Sequence, residues 1–131
     1  MDVGHRMFKT TKKHFNLFKK ECDYWIKEFG LTNWCVRYYH RKDSKQEVHA
    51  WCNFEFSGRA VDITLNAEVD DDYKLNPEFE TKLSAFHEVC EVLLFPLRYL
   101  AEARFLTDNE IDPEIHNIIR TLENAVFDKL R

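Results

Sequence analysis

Glycine and proline are scarce in this chain, with three of each among 131 residues. No repeat, low-complexity tract or Gly/Pro-rich linker interrupts it, so there is no internal sign of a second domain. Paired cysteines are missing too. Cys22, Cys35, Cys52 and Cys90 form no CxxC, which argues against a zinc ribbon or a thioredoxin-type redox motif. Long apolar runs are absent: the longest, VLLF at 92–95, is far too short to cross a membrane. The opening MDVGHRMFKT has no apolar h-region, so no secretory leader is expected. Reduced thiols in a cytoplasmic protein are the simplest expectation, although Cys35 and Cys52 on neighbouring strands would leave a disulfide open. Charge of one sign is also in short supply. The net charge of −4 gives no general pull toward nucleic acid or anionic lipid, and the basic stretch KTTKKHFNLFKK reads as a solvated helix face.

Aromatic residues, by contrast, are abundant. Eleven Phe and three Trp, within 44% apolar residues, are enough for a packed core. One domain over residues 1–131 is expected, with 1–9 as a flexible arm. Phe15, Phe18, Cys22, Trp25, Ile26 and Phe29 recur at helical spacing, and Gly30 follows where a helix end favours glycine. Three strand-like stretches come next: NWCVRYYH (33–40), VHAWCNFEF (48–56) and RAVDITLN (59–66). Ala50, Cys52 and Phe54 alternate with His49, Trp51 and Asn53, and Val61, Ile63 and Leu65 alternate with Asp62 and Thr64. A three-stranded antiparallel meander with one buried face is predicted. Trp34, Tyr38, Tyr39, Trp51 and Phe54 are expected in the core rather than on a base-stacking surface.

The acidic stretch AEVDDDYKLNPE lacks the spacing and central Gly of a calcium loop, and reads as a solvated connection. Asn76 and Pro77 then open a long helix with Leu83, Phe86, Cys90, Leu93, Leu97 and Leu100 as its stripe. Pro96 should bend it near Val92 or split it. Asp112 and Pro113 signal a last helix, with Ile115, Ile118, Ile119, Leu122 and Val126 as its stripe. The fold class is therefore α+β: helix, three strands, long helix, C-terminal helix.

The long helix carries HEVCE at 87–91. His87 and Glu91, four residues apart, share a face, and Glu88 points about 100° around from His87. In HExxH zinc peptidases two His hold the metal and the Glu activates a water. Glu91 stands where the second His would be. A carboxylate also binds Zn²⁺, and shifts preference toward Mn²⁺ or Fe²⁺. His116, near the start of the last helix, is the candidate third ligand, with Glu123 as a supporting or alternative ligand. Glu110, Glu114 and Glu102 are weaker substitutes. The alternative is an ordinary His87–Glu91 helix couple with His116 as a cap. His5, His14, His40 and His49 have no ligand-spaced partner and read as surface or satisfied residues.

This order of elements, with HEVCE and His116, resembles small zincin-type metallopeptidase domains: SprT-like domains, minimal gluzincins and short phage-encoded relatives. The resemblance implies His87 as metal ligand, Glu88 as general base and a downstream ligand. It also implies that the strand 59–66 borders the cleft and pairs with an extended peptide. Two functions follow: a metal-dependent peptidase, or a zincin-like protein without turnover that binds or inhibits a protein partner, a host factor in the phage case. The acidic 68–72 stretch or the aromatic strands would then make the contact. A single-stranded nucleic acid binder ranks last on charge.

Overall fold

The computed structural model describes residues 7–43, 48–55, 57–103, 108–123 and 125. Its described elements form an α+β fold with three helices and two small sheets.

The first helix, α1 (Lys12–Glu28), starts and stops by local chemistry. Thr11 caps it, and the His14 ring nitrogen accepts from the Thr11 N–H at 2.9 Å, doing what a Glu does in the usual capping box. This gives His14 a structural role. At the other end Gly30 takes φ +70°. Its N–H donates to Lys27 O, and the Leu31 N–H donates to Ile26 O at 2.8 Å, a paired closure that left-handed glycine permits. Phe18, Cys22, Ile26 and Phe29 are buried, as the spacing predicts.

Before α1 lies a short strand, β1 (Met7–Lys9), in the stretch expected to be a flexible arm. The main sheet contains β2 (Cys35–Arg41), β3 (Ala50–Glu55) and β4 (Ala60–Asn66). Their spatial order is β2-β4-β3, with β2 parallel and β3 antiparallel to β4. This corrects the predicted meander. β2 and β3 are consecutive in the chain but flank β4, so among the described strands of this sheet only β3 and β4 form a hairpin. Alternation fixes which face a residue takes, not which strand lies next to which. Cys35 and Cys52 consequently sit on the two outer strands, and all four cysteines are free thiols. Val61, Ile63 and Leu65 on β4 are fully buried, each worth about 1.5–3 kcal/mol of apolar transfer. Two aromatics depart from the core expectation. Tyr39 and Trp51 flank Thr64 on the far sheet face, where the Arg41 guanidinium lies 4.2 Å above the Tyr39 ring.

The acidic connection is more ordered than expected. Glu68–Asp70 forms β5, antiparallel to β1, and a 3-10 turn spans Asp71–Leu75. Val69 and Tyr73 are the reason: both are buried, and the Tyr73 hydroxyl bonds Thr81.

Asn76 caps the central helix, α2 (Pro77–Glu102), which runs unbroken through Pro96. The split did not occur. Pro96 is buried, and its packing outweighs the one backbone bond it cannot make. The stripe is displaced as well. Ala85, Val89, Val92, Leu93 and Leu100 are buried, while Leu83 and Leu97 are 49% and 41% exposed. Small Ala85 faces α1, where the Cys22 thiol approaches its carbonyl at 3.9 Å. A close helix crossing favours a small side chain there, which hydrophobicity alone does not signal.

The last helix, α3 (Asp108–Leu122), begins one turn before the predicted Asp112 cap, so Pro113 lies inside it. Ile118 packs on the core, but Ile115, Ile119 and Leu122 are exposed. Val126 lies outside the described residues.

Candidate functional site

The HEVCE segment splits its side chains between core and surface. Glu88 turns toward the sheet and is 6% exposed. The Cys52 thiol on β3 donates to Glu88 Oε1 at 3.3 Å and approaches the Glu88 carbonyl at 3.6 Å. Burial pushes the Glu88 carboxyl above the usual carboxylate range, nearby Glu91 adds to this, and the Cys52 bond and His87 oppose it. Burial, followed by the Glu88 charge, pushes the Cys52 thiol well up, so it stays protonated and able to donate. Sequence reasoning missed Cys52. Its alternation within β3 was the available signal that it faces α2.

His87 lies on the exposed side of α2. Its Nε2 is 3.8 Å from Glu91 Oε1, while Glu91 Oε2 is 3.4 Å from Arg98 Nη2. Glu91 thus sits between an imidazole and a guanidinium. With side-chain exposures of 68% for His87 and 61% for Arg98, these contacts are screened and individually weak.

His87 and Glu88 open onto a groove of about 380 Å³ between α2 and the start of β3, which also holds His49, Ala50, Glu80 and Ser84. His49 Nδ1 is 3.9 Å from Glu80 Oε2, and its ring meets Tyr73 edge-on at 4.9 Å. His49 read as an isolated residue because its partner is 31 positions away, on another element.

The remaining candidates lie elsewhere. His116 is on the exposed side of α3, where its ring Nδ1 bonds the Asp112 carbonyl at 2.8 Å. α3 turns Glu114, Ile118 and Thr121, all half-buried, inward instead. Glu123 is exposed just past α3, and Glu102 and Glu110 are exposed too. Glu114 pairs with Arg59 at 3.5 Å.

A catalytic zinc ion takes three protein ligands and an open position. His87 and Glu91 offer two adjacent donors, one shared with Arg98. Among the described residues no three His, Cys, Asp or Glu side chains form a metal-holding group. As placed, these described side chains do not fit a complete catalytic centre.

The groove also meets an open sheet edge at Ala50, the first residue of β3. β4 is the middle strand, so both of its edges are taken, and it cannot pair with a peptide as the strand bordering the cleft was expected to. β3 has a strand partner on one edge only among the described residues. The Asn66 N–H donates to His49 O, which makes His49–Asn66 a hydrogen-bonded pair. By antiparallel alternation the backbone groups of Ala50, Cys52 and Phe54 then point to the open edge.

Among the described residues no helix is long and apolar enough to cross a membrane. No family model, no curated protein and no solved structure matches the chain.

Proposed function

We propose that this chain is a zincin-like domain that takes an extended peptide or protein segment along the open edge of β3, as a binding or inhibitor module. The observation that carries this reading is the adjacency of that edge to the groove holding His49, Glu80, His87 and Glu88. An added strand would gain main-chain hydrogen bonds from Ala50, Cys52 and Phe54, and the groove would receive its alternate side chains. The test is amide NMR with an unstructured peptide and its N-methylated counterpart. The amides of Ala50, Cys52 and Phe54 should shift and gain protection with the first peptide only. Equal shifts along β2, or no difference between the peptides, would falsify the reading.

A second reading, metal-dependent peptide hydrolysis, is favoured by one observation: His87 and Glu88 face the groove where a peptide carbonyl would lie. His87 and Glu91 would be two donors to Zn²⁺, Mn²⁺ or Fe²⁺, one short of the three protein ligands a catalytic zinc ion takes. His116 or Glu123 could join only by displacement from its present position. Glu88 is held above the usual carboxylate range, chiefly by burial, the direction a proton-exchanging carboxyl needs. Metal content per chain decides this reading. Close to one equivalent, lost in His87→Ala, supports it. No metal under loading with zinc, manganese or iron removes it and leaves the binding module.

A further inference from the structure

A second cavity, of about 330 Å³, lies between the β3–β4 turn, the segment after α1, and the facing sides of α2 and α3. It shares no lining residue with the groove at His87. Trp34, Val92, Pro96 and Ile118 give it an apolar floor, and Arg59, Glu114 and Arg120 stand around it. We propose that this cavity binds a small carboxylate with a flat apolar body, an aryl acid in chemical class. Trp34 takes the body, and Arg59 with Arg120 takes the carboxylate.

Four observations point to this class. The volume falls at the small end of ligand clefts, which suits a compact molecule. Among the described residues the lining carries two guanidiniums, Arg59 and Arg120, and one carboxylate, Glu114, in a chain of net −4. One surplus positive charge over an apolar floor suits a monoanion, where a phosphate dianion would call for more donors. Arg59 itself is in an unusual state. Its φ is +45°, a left-handed conformation that a long side chain adopts at a cost, and such outliers gather at binding sites. That backbone carries the Arg59 guanidinium to 5.8 Å over the Trp34 ring and 3.5 Å from Glu114 Oε1. Arg120 has no ion-pair partner among the described residues, so its fork is available to a ligand.

The test titrates the full chain with phenylacetate and with its neutral isostere phenylacetamide, read by amide NMR and tryptophan fluorescence. Phenylacetate should saturate, with shifts centred on Trp34 and Ile118, and phenylacetamide should bind at least about tenfold more weakly, a difference of about 1.4 kcal/mol. Arg120→Gln, at an exposed position on α3, should weaken the acid about tenfold and leave the amide unchanged. Arg59→Gln should do the same, with circular dichroism confirming the fold. Equal binding of acid and amide, or an acid affinity untouched by Arg120→Gln, overturns the proposal. Tighter binding of benzyl phosphate overturns the carboxylate class. Equal binding of the peptide Ala-Ala-Phe overturns the small-molecule class in favour of a chain end.

Discussion

The two hollows along α2 differ in charge although one helix lines both. The half from Glu80 to Glu88 meets β3 with two imidazoles and two carboxylates, one of them buried against a thiol. The half from Val92 to Pro96 meets α3 and the β3–β4 turn with an apolar floor under two guanidiniums. The groove has an open strand edge beside it; the cavity is flanked by α3. In the two proposed readings a single helix serves an extended chain at one end and a small molecule at the other. The neighbouring element, not the helix, decides which.

The largest way to break this comparison is to remove what both hollows share. Phe18 is fully buried where α1 supports α2. Phe18→Ala should cost about 3–5 kcal/mol, read as the urea midpoint, and should degrade both hollows together. Loss of one hollow alone would show that α1 does not hold them in common. A change confined to the groove is Glu88→Gln, and its sign depends on pH. The unfolded carboxyl titrates at its ordinary value and the folded one higher, chiefly through burial. The native fold therefore loses stability as pH rises from the ordinary carboxylate value through the folded one. Glu88→Gln removes that loss. Its melting temperature should rise relative to the parent as pH climbs above the ordinary carboxylate value, and a constant gap would place the ionised carboxylate in water.

Smaller effects sharpen the other side. Gly30→Ala meets no neighbouring atom but keeps a φ of +70°, so strain alone should cost about 1 kcal/mol in thermal unfolding. Arg59→Gln removes a partly exposed pair to Glu114 and should cost less than about 1 kcal/mol, while hydrogen exchange rises in α3 and not at Glu80–Glu88. His116→Ala should change stability by less than about 0.5 kcal/mol and leave metal content untouched, because its ring bonds only within its own helix in the described structure. A loss of bound metal would return His116 to the ligand set.

Much of the local architecture was legible. Glycine at 30 and asparagine at 76 mark helix ends because their chemistry acts within one turn of the chain. Val61, Ile63 and Leu65 declare the buried face of β4 because alternation is a backbone property. The strand order was not legible: parallel β2 and antiparallel β3 carry the same alternating pattern. The short β1–β5 pair escaped because three-residue strands have almost no periodicity. The exposed face of α3 carries Ile115, Ile119 and Leu122, so its hydrophobic stripe pointed to the wrong side.

For the site, the sequence supplied the helix and the spacing that puts His87 beside Glu91. It could not place His49 beside Glu80, Cys52 beneath Glu88, or His116 away from both, since each depends on contacts between elements distant in the chain. Helical geometry acts over a few bonds and is written residue by residue. The meeting of α2 with β3 at one end and α3 at the other is settled by how whole faces pack, which only the folded chain decides.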